Sequence, residues 1–257
     1  MTENTPTAFF AGLDVAGAPR ELVALGGRLD VETLLAAYRA GCFPWPATGP
    51  DEAALERDAR RLSRRGDVPL VPGTDSGAPL MPWISPHPRP VLLPDRVNIP
   101  RSVRRSIRRR GWDTTMDRAF GDVLAACADR NETWIIPPVR AAYQALHHAG
   151  IAHSLEVWAG DDLVGGLYGV LTGRVFSGES MFHHEDDASK AAVVDLCQRF
   201  REAGVVLIDT QDQSEHMANL GQVPVHRADY IDVLHAFRDE PVDLPADRRP
   251  VTRCLDG

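Results

Sequence analysis

The chain has 257 residues, 44% of them hydrophobic, enough for one generous domain or two modest ones around a sizeable core. No apolar run approaches the roughly 18 residues of a membrane span, and no basic segment followed by an apolar one marks export, so the expected address is cytoplasmic. A net charge of -8 argues against nucleic-acid binding by the whole surface but leaves room for a local basic patch, and the widely spaced Cys42, Cys127, Cys197 and Cys254 point to reduced thiols rather than a disulfide framework or a metal site.

Residues 1 to about 24 mix Pro, Gly and polar groups and read as a partly ordered lead-in. Leu22 to Gly27 is a short apolar segment closed by two glycines. Asp30 then suits the N-cap of an amphipathic helix carrying Val31, Leu34, Leu35 and Tyr38, which Gly41 ends. In Phe43-Pro44-Trp45-Pro46 two prolines hold the backbone extended and leave Trp45 little freedom, either as core or as a stacking platform. Residues 47–81 change character, charged and helical over 51–65, then rich in Pro, Gly and Ser. So long a connection predicts an inserted, peripheral element.

Trp83 to Pro90 reads as rigid and irregular, and Val91 to Leu93 as a strand entering a second unit. Six arginines follow in residues 101–110; helical spacing gathers Arg101, Arg104, Arg105, Arg108 and Arg109 on one arc, with Val103 and Ile107 opposite. No acid stands at i+3 or i+4 to relieve the repulsion. In an acidic protein that favours a phosphate-binding face over a merely solvated one.

Asp117 is expected to cap a helix over residues 118–128, and Pro137-Pro138 to open another that Gly150 closes. His153 to Trp158, Leu163 to Leu171 and Arg174 to Gly178 then form a three-stranded antiparallel meander. Asp187 and Ser189 supply N-cap oxygens for a helix that Gly204 ends, and Val205 to Ile208 is a buried strand stopping at Asp209. The order β-β-β-α-β is that of the later half of the GNAT acyltransferase fold. Short helices over 214–220 and 227–237 and a Pro- and Asp-rich tail from 239 complete the chain. The expected fold class is thus α+β, GNAT-like over 88–257 and preceded by a first unit over 1–87.

An ordered set of segments resembles one family, the bacterial leucyl/phenylalanyl-tRNA-protein transferases. The segments are Leu25 to Leu29, Tyr38 to Trp45, Trp83 to Pro86 with Arg89, His153 to Trp158, Leu163 to Gly169, Gly178 to Phe182, Ala188 to Lys190 and Ile208 to Gln211. The resemblance implies transfer of Leu or Phe, with Met as a further donor, from aminoacyl-tRNA to the N-terminal Arg or Lys of a protein, marking that protein for degradation. It also implies a small N-terminal α/β domain (1–87) packed on a GNAT-like catalytic domain (88–257); a monomer is expected, and ester aminolysis itself calls for no metal or cofactor. By the same match Asp209 and Gln211 guide the attacking amine and Glu179 is the carboxylate near the acceptor. Trp45 and Trp134 lie near the aminoacyl-adenosine, and Leu167, Met181 and Val193 line the side-chain pocket. Tyr143 and Phe182 are assigned to that donor site too, and the five arginines to the tRNA acceptor stem. Leu167 and Val193 depart from bulkier or more flexible residues in some relatives, Ile84 interrupts a Trp pair common in the family, and the 47–81 insertion is longer than usual.

The chemistry fits the residues. Ester aminolysis needs a neutral amine, an approach geometry and charge relief, and a peptide amine titrating near 7.7 to 8.0 is already partly neutral in the cell, so positioning can supply most of the rate. In extended geometry Asp209 and Gln211 would point to one face, Asp209 orienting Gln211 while the Gln211 amide oxygen accepts from the amine. Glu179 and Asp209 would act electrostatically on a cationic acceptor. His183, His184 and His216 lack a paired nucleophile and read as surface or structural residues, while Lys190 in a first helical turn is either a surface lysine or a phosphate contact. Two competing readings are an acyl-CoA-dependent N-acetyltransferase, disfavoured by the acidic run at 185–187 where a pyrophosphate loop would stand, and a non-catalytic tRNA-binding module, which leaves Glu179, Asp209 and Gln211 unexplained.

Overall fold

A computed structural model describes residues 5–46, 48, 49, 52–75 and 77–255, so four positions of the 47–81 insertion lie outside the described residues. The chain is of mixed α and β content. Thr5 caps α1 (Pro6–Ala11) with its side chain, as Asp30 does for α2 (Val31–Arg39) by accepting from the Thr33 N–H at 2.8 Å. Between and after them run β1 (Leu22–Gly26), β2 (Phe43–Pro44), α3 (Glu52–Arg64), β3 (Leu70–Val71) and β4 (Pro82–Ile84). These strands form a four-stranded sheet in the order β2-β4-β1-β3. Trp83 pins its centre: the ring is fully buried and its indole N–H donates to the Gly26 carbonyl at 2.8 Å.

The second sheet takes its strands from residue 89 onward. Its elements are β5 (Arg89–Leu92), α4 (Arg101–Arg110), β6 (Asp113–Met116), α5 (Phe120–Ala128), α6 (Pro137–His148), β7 (Ala152–Ala159), β8 (Asp162–Thr172) and β9 (Val175–His183). Then come α7 (Ala188–Ala203), β10 (Leu207–Asp209), α8 (Glu215–Ala218), β11 (Val223–Val225), α9 (Arg227–Phe237) and β12 (Arg249–Pro250). Eight strands pair in the order β11-β5-β10-β9-β8-β7-β6-β12, antiparallel except for β9 with β10. One core gathers α5, α6 and the four-stranded sheet; the other gathers α7 and the apolar side of α4, where Val103 and Ile107 are fully buried. No helix among the described residues is long and apolar enough to cross a membrane.

Several sequence expectations change. Asp117 does not cap α5. It adopts a left-handed backbone (φ 58°), and its carboxylate accepts from the Ser154 N–H at 2.9 Å and meets His153 Nδ1 at 2.7 Å, which pins β7. Asp187 stands at the N-cap of α7 but is also left-handed (φ 68°) and gives the helix no side-chain cap; it binds Ser106 Oγ of α4 and Lys190 Nζ instead. Ser189 lies inside that helix, so it supplies no cap either. The irregular stretch 83–90 contains parts of two strands. The insertion keeps most of α3 exposed, and Ala59 and Leu62 of that helix join Leu25, Val68 and Leu80 in a small core. The C-terminal tail is anchored as well. Arg199, fully buried, pairs with Asp195 at 2.7 Å and donates to the carbonyls of Pro245 and Asp247, holding β12 against β6.

Candidate active site

The site begins with a β-bulge. On β8 and β9 Tyr168 faces Ser180 and Gly169 faces Gly178, so Glu179 is the extra residue. Gly169 permits it, because a Cβ there would sit 2.2 Å from the Ser177 carbonyl oxygen. The bulge turns the Glu179 carboxylate to where three donors meet it: Tyr38 Oη at 2.7 Å and Gln211 Nε2 at 2.7 Å on Oε1, and Tyr143 Oη at 2.8 Å on Oε2. The two tyrosine oxygens are themselves 2.5 Å apart. Burial among these rings pushes the Glu179 carboxyl up to about 7, against the three hydrogen bonds that favour its charged form.

Gln211 follows the end of β10, one strand away. Its backbone is left-handed (φ 61°) rather than extended, so it does not share a face with Asp209 in the expected manner. Asp209 orients it nonetheless, by accepting from the Gln211 backbone N–H at 3.0 Å. With Nε2 directed at Glu179, the Gln211 amide oxygen occupies the other branch of the side chain. Asp209 is fully buried and bound bidentately by Arg89, through Nε at 2.8 Å and Nη2 at 2.5 Å, with Tyr230 Oη at 3.3 Å. Arg89 is fixed in turn by the Gly41 carbonyl, Ser85 Oγ and the faces of Phe43 and Tyr230. An aspartate neutralised and sealed in this way does not reach a cationic acceptor. Its part is to position the turn that carries Gln211.

Glu179 and Gln211 line a cleft of about 720 Å³ whose walls also carry Trp45, Trp134 and Arg130. Trp45 and Trp134 are stacked, with ring centroids 6.1 Å apart and planes 18° from parallel, and Trp45 is 45% exposed. From this cleft opens a narrow apolar pocket of about 100 Å³ lined by Leu167, Met181, Val193, Leu196, Ile208 and Met217. Leu167 and Met181 face each other directly across β8 and β9, and Glu179, Ser180, Thr210 and Met217 belong to both spaces.

The other candidates fall around this centre. Tyr143 is fully buried behind Glu179, its ring edge-on to Trp134. Phe182 lies on the opposite side of the sheet from Met181, over Gly166 in the core that holds Val123, and does not line the pocket. Arg101, Arg104, Arg105, Arg108 and Arg109 line one concavity on α4, and among the described residues the ion pair of this helix is that of Arg110 with Glu185. Tyr38, Arg89, Arg130 and Tyr230 do not stand out from the residues alone. The motif segments running through Tyr38 and Arg89 hold what signal there is, but their pairing with β9 and β10 depends on the tertiary fold.

The chain matches the family model described as leucyl/phenylalanyl-tRNA protein transferase over residues 91–235, and the N-terminal domain model of the same family over residues 27–53. It is 42% identical over 232 residues to a leucyl/phenylalanyl-tRNA-protein transferase of Shewanella sp. (strain ANA-3), covering 89% of this chain and 86% of that one. It is 40% identical to that of Pseudomonas aeruginosa (strain LESB58), covering 87% of this chain and 88% of that one.

Proposed function

Because the chain belongs to the leucyl/phenylalanyl-tRNA-protein transferase family, we propose that this aminoacyltransferase moves Leu or Phe, with Met as a further donor, from tRNA to the N-terminal amine of proteins beginning with Arg or Lys. The observation that carries the reading is the meeting of Glu179 and Gln211 at a cleft that opens into one narrow apolar pocket. The donor side chain enters between Leu167, Met181 and Val193. Leu and Phe share an unbranched β-carbon, which such an entrance accepts while a β-branched Val or Ile clashes. The terminal adenosine lies against Trp45 and Trp134, and the acceptor stem runs along α4, where bidentate arginines hold phosphate.

The amine nitrogen attacks the ester carbonyl, the new C–N bond forms, the C–O bond to the ribose breaks, and the tRNA departs as its free hydroxyl. Gln211 Oε1 accepts a hydrogen bond from the amine and aims it. Glu179, balanced near neutrality, receives the proton that the amine must shed and returns it to the ribose oxygen. Asp209, Arg89, Tyr38 and Tyr143 hold these two groups in register.

The run β7, β8, β9, α7, β10 supports the GNAT-like reading, with a division of the chain near residue 88, and a monomeric, cytoplasmic enzyme is part of the same proposal. An acetyl-CoA enzyme on the same frame is disfavoured by the start of α7, where Glu185 accepts from Trp112 Nε1 at 3.0 Å and Asp187 faces Ser106 and Lys190. Two acids there oppose a pyrophosphate. Incubating the protein with labelled Phe-tRNA and an Arg-initiated peptide, with labelled acetyl-CoA as the rival donor, tests the proposal. Label passing to the peptide from tRNA alone is expected; label from acetyl-CoA, or from neither, would overturn it.

A further inference from the structure

We propose that the groove between α3 of the insertion and the Trp45/Trp134 pair binds the apolar or aromatic side chains that directly follow the N-terminal residue of the acceptor protein; this rests on the transfer reading above. The groove has a volume of about 480 Å³, and its walls include Leu22, Leu55, Leu62 and Pro46. It shares Trp45, Ile84 and Trp134 with the reaction cleft, so the two spaces adjoin. An acceptor whose amine sits at Gln211 must leave the cleft somewhere, and this is an apolar way out. Trp45 and Leu55, 45% and 52% exposed, are two of the four large hydrophobic residues exposed among the described ones, and both stand on the groove.

Charge and position separate this surface from the path of the acceptor stem; of the tRNA only the terminal adenosine, against Trp45 and Trp134, borders it. The groove lining carries Asp58 and Glu132 and no Arg or Lys, which repels phosphate, whereas the concavity on α4 is lined by arginines alone. Ile84 and Trp134 pack on the core of α5, α6 and the four-stranded sheet, while Val103 and Ile107 of α4 belong to the core on the other side. Two macromolecules can therefore reach one ester carbonyl from opposite sides. Backbone pairing is a poor means of capture here, because Pro44 and Pro46 have no N–H and that of Trp45 already donates to the Pro82 carbonyl at 2.9 Å. Side-chain burial is what the groove can use. An extended acceptor rises about 3.3 Å per residue, which carries its second and third residues out of the cleft and onto this wall.

The test compares the wild-type enzyme on peptides beginning Arg-Leu-Phe, Arg-Gly-Ser and Arg-Glu-Glu, with Phe-tRNA as donor. Burial of one apolar side chain is expected to lower the KM of the Arg-Leu-Phe peptide about tenfold relative to the others. Leu55→Asp, an exposed position outside the reacting groups, should erase that advantage while the KM for Arg-Gly-Ser, the KM for tRNA and kcat stay put. Equal KM values for all peptides on the wild type, or a rise in the tRNA KM in Leu55→Asp, would overturn the groove assignment. Absence of transfer to every peptide would overturn the transfer reading itself.

Discussion

Glu179, Tyr38 and Tyr143 form a closed triangle of oxygen contacts at 2.7, 2.8 and 2.5 Å. Each hydroxyl carries one hydrogen, so an ionised carboxylate leaves one side of the triangle without a proton, and a neutral Glu179 fills it. That agrees with burial raising the group to about 7. A raised carboxyl is neutral below that value and charged above it. Its contribution to stability is therefore complete below the unfolded value near 4.3 and is lost as pH rises toward 7, while its capacity to accept a proton grows over the same range. The pH profile of kcat/KM should show a rising limb near pH 7 from Glu179, followed by the limb of the peptide amine at about 7.7 to 8.0. In Glu179→Gln only the amine limb should remain, with the rate down about 100-fold; an unchanged profile would remove Glu179 from proton transfer. Glu179 and Gln211 are legible in the chain as polar groups at the ends of apolar runs. Arg89 and Tyr38 are not, because they reach Asp209 and Glu179 across 120 and 141 residues.

Among the elements, α4 is readable to its ends, since arginines alternate with a valine and an isoleucine at helical spacing and Gly111 closes the helix in a left-handed conformation. Arg105→Ala with Arg108→Ala should weaken tRNA binding and lessen the slope of log K against log salt by about 2, one for each arginine that no longer neutralises a phosphate. A filter-binding series from low to high salt reads it, and an unchanged slope would move the tRNA elsewhere. The meander β7 to β9 and the helices α7 and α9 are legible for the same reason, a local period closed by turn residues. β6, β11 and β12 are not. Each is two to four residues long and paired with a distant strand, and Pro224 and Pro250 disguise β11 and β12, which are the two edges of the sheet. Asp117 and Asp187 look like caps in the sequence and are not, because a left-handed backbone keeps the carboxylate off the first N–H groups of the following helix and lets it bind a neighbouring element.

At the scale of the molecule the long sheet is closed by its tail. Arg199 donates to Thr114 and to the carbonyls of Pro245 and Asp247, and Asp195 also binds Arg253, so one buried pair ties α7, β6 and the chain end together. Arg199→Met should lower unfolding free energy by about 3 kcal/mol, because it leaves a buried acid and several carbonyls short of donors; urea unfolding with an unchanged midpoint would contradict this. Composition could not reveal such a clasp, since a tail of Pro, Asp and Arg looks unstructured until its partners are known. Within the same sheet β9 lies parallel beside β10, which brings Gln211 to Glu179. The most direct test of that meeting is the single-turnover rate of Phe transfer from saturating Phe-tRNA to an Arg-initiated peptide by Gln211→Ala. A fall of about 100-fold with unchanged tRNA affinity is expected, and transfer at the wild-type rate would contradict the role given to this pair.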